Sequence, residues 1–207
     1  MKKEIRTILS AFAIAFATAG AAGAAAAASE PALFISVGTA TRAPIGWVEF
    51  CKETPDTCAP QAGMLQEIVL TQKTWAHLVH INNLVNERIK PMTDMDHWGV
   101  AEKWSYPDDG YGDCEDYVLL KRRMLAEAGW PLSSLLVTVV RDQNGDGHAV
   151  LTVKTDKGEF VLDNQNAEVL LWSETNYHYV KRQSQHNPNT WVALGDPRPA
   201  PLTASSR

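Results

Sequence analysis

The sequence predicts an α+β domain in which helices come first and an antiparallel meander follows. Two stretches with helical apolar spacing lie between residues 71 and 128, and three strand-like runs joined by turn sequences lie between residues 135 and 162. With 207 residues, 45% of them apolar and 21% charged, the chain has enough material for one core, which excludes a disordered or collagen-like protein.

The N-terminus reads as an export signal. Met1-Lys-Lys-Glu-Ile-Arg6 is followed by an apolar run containing Phe12, Ile14 and Phe16, and then by small residues up to Ala28. A retained membrane anchor is the competing reading, but Ala and Gly dominate residues 17–28 and make a weakly apolar span. Residues 1–28 are therefore expected to be a signal peptide cleaved after Ala26 or Ala28, leaving a mature chain without a membrane span. Residues 29–194 are expected to form the domain and residues 195–207, with Pro197, Pro199 and Pro201, a disordered tail. Cleavage removes Lys2, Lys3 and Arg6 with only Glu4, so a chain of formal net charge −5 becomes more acidic still. That balance excludes non-specific nucleic-acid binding through a basic face. The expected location is the periplasm or the outside of the cell.

Residues 29–62, with Pro31, Pro44, Pro55 and Pro60, read as loop-rich. Within them Cys51 and Cys58 bracket six polar or turn-forming residues. In an oxidising compartment they are expected to form a disulfide; two free thiols or a metal pair are the alternatives, and no further ligands lie nearby to complete a metal site. Trp75, Leu78, Val79, Leu84, Val85 and Ile89 recur at spacings of about three and four, which predicts a helix from Thr71 to Lys90 stopped by Pro91. Residues 91–112 read as a long irregular segment. A second helix is expected from Cys114 to Ala128, with Asp113 as N-cap and Gly129 just past its end. Strands are expected over 135–141, 149–154 and 159–162, with a further short segment around 169–172. Asp142-Gln-Asn-Gly-Asp-Gly147 resembles half of a calcium loop, but Val153 stands where that motif needs Glu, so a simple turn is expected.

Cys114 is left without a disulfide partner at the first turn of a helix, where exposed N–H groups favour a thiolate. A buried structural cysteine is the plain alternative. His148 opens one strand and Asp163 ends the next. In an antiparallel hairpin turning at 155–158 they fall opposite or diagonal to one another, so the carboxylate can orient the imidazole while its other nitrogen serves a thiol. Cys114, His148 and Asp163 are thus the candidate nucleophile, base and orienting acid. The Cys114 N–H is a candidate oxyanion donor, and the Trp98 indole is either a second donor or a core aromatic.

Gly112-Asp-Cys-Glu-Asp-Tyr117, Gly147-His-Ala-Val-Leu151 and Val161-Leu-Asp-Asn164, with Asp96-His-Trp-Gly99 and Trp104 upstream, resemble the bacterial transglutaminase-like cysteine proteinases over roughly residues 47–179. The resemblance implies a papain/transglutaminase-like α+β fold, with the catalytic cysteine at a helix start packed on an antiparallel sheet. It also implies a Cys-His-Asp triad in Cys114, His148 and Asp163, and a protein substrate, in some members a cell-surface adhesin released by a periplasmic, calcium-dependent protease. The Cys51–Cys58 region looks like a different subgroup. Asp113, Glu115 and Asp116 crowd the thiol with negative charge, which opposes ionisation, and a Ca2+ ion would relieve it. The calcium-dependent relatives carry acids at the positions of Asp113 and Glu115; further ligands from Asp94, Asp96 or Asp108 remain open. The reading is an exported cysteine peptidase. An acyltransferase with the same triad and a non-enzymatic calcium-stabilised binding module are the alternatives.

Overall fold

The computed structural model describes residues 32–60 and 65–201; residues 1–28, expected to be a signal peptide, lie outside the described residues. The elements run β1 (Ser36–Thr41), α1 (Ile45–Glu53), α2 (Gln72–Arg88), β2 (Lys90–Pro91), α3 (Asp94–Trp98), β3 (Tyr111–Gly112), α4 (Cys114–Glu127), β4 (Leu135–Arg141), β5 (Gly147–Thr155), β6 (Gly158–Leu162), β7 (Leu170–Leu171), β8 (His178–Gln183) and β9 (Trp191–Gly195), with single 3-10 turns at Leu132–Ser134 and Trp172–Glu174. The main sheet is an open seven-stranded one in the order β1-β9-β8-β4-β5-β6-β7, and every pairing in it is antiparallel. β2 and β3 form a separate parallel pair. This is the α+β arrangement expected.

The period-two alternation along the central strands sends Val137, Ala149, Leu151, Val153, Phe160 and Leu162 into one core, where they meet Trp47 of α1, Leu78 and Val85 of α2, and Tyr117 and Leu125 of α4. A smaller cluster of Val140, Val150, Val161, Trp172 and Tyr179 covers the other face. α2 opens on a Thr71–Thr74 capping box. α4 closes on Gly129, whose φ of 90° favours glycine. The Gly129 N–H donates to Ala126 O and the Trp130 N–H to Leu125 O, the two bonds of a Schellman motif.

Three expectations need correction. The segment 29–62 contains β1 and α1, because its prolines flank the elements: Pro44 sits at the N-cap of α1, and Pro55 follows its end. The segment 91–112 is likewise interrupted, by α3 capped through Thr93 and by β3. The domain also extends past residue 194. Gly195 pairs with Ser36 in the sheet, and Asp196 accepts hydrogen bonds from the Tyr179 N–H and the Arg198 guanidinium.

Cys51 and Cys58 form a disulfide, with Cα atoms 5.6 Å apart. It ties the end of α1 to a loop whose Cys58 carbonyl accepts from Asn189 Nδ2, while Asn189 Oδ1 accepts from the Trp47 indole N–H. Replacing both cysteines by Ser is expected to lower the unfolding free energy by about 2.5 kcal/mol, the chain-entropy value for so short a loop. Paired urea melts check this, and coincident midpoints would contradict it. Among the described residues no helix is long and apolar enough to cross a membrane.

Candidate active site

α4 begins at Cys114, packed by the apolar stripe of its later turns against β5. Gly112 permits this start. A Cβ there would come within 2.7 Å of the Asp116 side chain, which tucks beneath it and accepts from the Ser105 N–H at 2.8 Å. The Cys114 thiol is half-buried. It lies beside the backbone N–H of Ala149, the residue after His148, and donates to Glu115 Oε2 at 3.1 Å. Its hydrogen bond therefore goes to the neighbouring carboxylate and not to the imidazole. Burial first, then the Glu115 and Asp113 charges, pushes the thiol well above its ordinary pKa.

β5 and β6 supply the second half of the site. Their register pairs Leu151 with Leu162 and Thr155 with Gly158, so Asp163 comes level with Val150 and stands diagonally from His148. The diagonal is bridged: His148 Nε2 and Asp163 Oδ1 are 2.9 Å apart, with both side chains only 3% exposed. Burial alone would raise the Asp163 pKa. The bond and charge of His148, the Tyr177 hydroxyl and the Gln165 N–H overcome it and hold the carboxyl below its usual range.

Tyr177 has no precedent in the sequence reading. Its hydroxyl donates to Asp163 Oδ2 at 2.5 Å, and its ring lies 5.3 Å from the imidazole. Burial and the Asp163 charge push its phenol upward, so it remains a donor at neutral pH. Asn82 and Asn86 of α2 are also new. Asn82 Oδ1 accepts from the Asp163 N–H at 3.1 Å, and Asn86 Nδ2 donates to the Asp163 carbonyl at 2.8 Å. A buried Asn within an apolar helical stripe is the one sequence signal that points to this role.

The acidic flank forms a cluster. Carboxylate oxygens of Asp94, Asp113 and Glu115 lie within 4.8 Å of one another. Asp113 stands at the N-cap position but makes no side-chain cap bond, and its buried Oδ1 has no hydrogen-bond partner. Capping does not account for it. Burial first, and then the Asp113 charge, pushes Glu115 up to about 9. Burial, with Asp113 and Asp94, pushes Asp116 up to about 8. Converging anionic oxygens with an orphaned one among them fit a hard divalent cation. Of the three candidates for further ligands, Asp94 joins the cluster and accepts from the Lys103 N–H. Asp96 is occupied by Thr93 Oγ1 at 2.8 Å, and Asp108 pairs with Arg123 on the surface. Asp142 closes its own turn, accepting from the Asn144 and Asp146 N–H groups. Trp98 is 42% exposed, stacked on His97 and covered by Lys103 Nζ, so it is not a core aromatic.

A lone thiol at the first turn of a helix, laid on an antiparallel sheet that carries a buried His–Asp pair, is the architecture of a transglutaminase-like thiol enzyme. Residues 37–199 match the family described as bacterial transglutaminase-like cysteine proteinase (BTLCP). The chain belongs to that family and is a cysteine protease. Six solved chains are similar in structure. Calcium-bound LapG of Legionella pneumophila matches with a TM-score of 0.49 and 22% identity, over 63% of this chain and 74% of that one. The EGTA-treated form of the same protein matches with a TM-score of 0.48 and 25% identity, over 58% and 70% of the two chains. No curated protein sequence matches the chain.

Proposed function

We propose that the protein is an exported cysteine peptidase that cleaves a peptide bond of a protein substrate through Cys114, His148 and Asp163. The 2.9 Å bond between His148 Nε2 and Asp163, made next to the strand residue that touches the thiol, carries this reading. Asp163 occupies Nε2, which leaves Nδ1 to take the thiol proton. The thiolate attacks the carbonyl carbon, and the Cys114 N–H at the helix start donates a hydrogen bond to the developing oxyanion. Collapse of the tetrahedral adduct breaks the C–N bond, and the imidazolium gives its proton to the departing amine. Water then attacks the thioester as His148 takes its proton, releasing the acid and restoring the thiol. The family match supports hydrolysis over transfer to an amine.

Asp94, Asp113 and Glu115 are the proposed ligands of a calcium ion. An ion held there would supply positive charge beside the sulfur, which would favour the thiolate. The disulfide and the signal-like N-terminus support a periplasmic or secreted location.

Iodoacetamide tests the pairing. Cys114 of the non-reduced protein is expected to be alkylated at neutral pH, and His148→Ala is expected to slow alkylation about tenfold or more. Equal rates, followed by mass spectrometry, would rule out the imidazole as the base.

A further inference from the structure

Lys121 is fully buried on α4, seven residues beyond Cys114 and so about 10 Å along the same helix. Burying an ammonium costs several kcal/mol, and a Met of similar length would fill the space without that cost. The amine does not face an acid directly. Its Nζ donates to Asn82 Oδ1 at 2.8 Å. That same oxygen accepts from the Asp163 N–H, and Asn82 Nδ2 donates to the carbonyls of Asn166 at 3.1 Å and Ala167 at 3.2 Å. All four hydrogen-bonding positions of this fully buried amide are filled, and three of them hold the chain between 163 and 167. Lys121 fixes which way the amide points: with its oxygen claimed by the ammonium, Asn82 presents N–H groups to the 166–167 carbonyls. Burial holds Lys121 far below the usual lysine range, at about 7, and the Asp163 charge opposes that fall, so the amine feels the Asp163 carboxylate.

We propose that Lys121, acting through Asn82, is a positioning residue for Asp163, so that one helix carries the nucleophile at its start and sets the place of the His148–Asp163 pair from its middle. The inference rests on the triad reading above. It explains why a lysine occupies an α4 position that packing alone would give to an apolar residue.

The disulfide leaves Cys114 as the free thiol, so iodoacetamide reads the site without a known substrate. The test is a double-mutant cycle of wild type, Lys121→Met, Asp163→Asn and the pair, with alkylation rates taken from roughly pH 5 to 9. Lys121→Met is expected to slow alkylation at neutral pH about fivefold and to move the midpoint of the pH profile upward, and to change neither in the Asp163→Asn background. If Lys121→Met does not fold, Asn82→Ser breaks the bridge from its other end and carries the same cycle. A wild-type rate in the folded bridge variant, or an equal loss in both backgrounds, overturns the inference. A slow His148→Ala beside a wild-type Lys121→Met fails only this inference, whereas a wild-type rate in His148→Ala fails the triad itself.

Discussion

Cells carrying Cys114→Ala are expected to accumulate an intact surface or periplasmic protein whose fragments are present in wild type. In the proposed mechanism the sulfur forms the acyl intermediate, so its loss should cost about 10^4-fold or more in turnover. His148→Ala should cost nearly as much, since residues that act as a unit are not additive. Asp163→Asn is expected to be milder, about 10^2- to 10^4-fold. It can still accept from His148 and meet Tyr177 Oη, but it withdraws the anion that stabilises the imidazolium. Cys114→Ala should not unfold the protein. Cys114 is half-buried at a helix end, and its thiol faces carboxylates that disfavour its ionisation. Quantitative proteomics of membrane and culture-fluid fractions checks the result and identifies the substrate. Fragment levels unchanged in Cys114→Ala, with melting temperature also unchanged, would end the peptidase reading of this site.

What the sequence discloses here follows from which interactions are local. α4 and the β4–β6 meander are legible because their apolar spacing, their turns and Gly129 all lie within a few residues of what they determine. The His148–Asp163 pairing is legible to within a diagonal because a short turn limits the register. β8 is not legible. Lys181, Arg182 and Gln183 interrupt its alternation, and only a distant partner makes the burial tolerable: Arg182 pairs with Glu159 at 2.8 Å, both nearly inaccessible. The same reasoning hides Asn82 and Lys121, which look like a polar interruption and a solvent-facing cation until α2 and α4 pack together. Asp94 is chosen over Asp96 and Asp108 only by where α3 sets it against the start of α4, a contact that spacing along the chain does not encode.

Calcium is expected to raise the melting temperature of the chelator-treated protein, and more at pH 8 than at pH 5. Glu115 has an ordinary pKa of 4.5 and a value of about 9 in the fold, and Asp116 moves from 3.8 to about 8. Between those limits the native state binds more protons than the unfolded chain. The contribution of these two carboxyls to the stability of the cation-free protein is therefore fully present below their unfolded values and is lost as pH rises toward the folded ones. A divalent ion bound by Asp94, Asp113 and Glu115 compensates the charge that the rising pH exposes, so its effect grows as those protons leave. At about a hundredfold excess over Kd the gain is about 2.7 kcal/mol, a shift of about 5–10 °C for a domain of this size. Asp94→Asn preserves an acceptor for the Lys103 N–H while removing one charge from the cluster. It is expected to flatten the pH dependence without calcium and to abolish most of the calcium shift. Thermal melts at pH 5 and pH 8, with calcium or EGTA, distinguish this from adventitious binding. Superimposable curves at pH 8 would mean that these carboxylates share a proton and do not bind a metal.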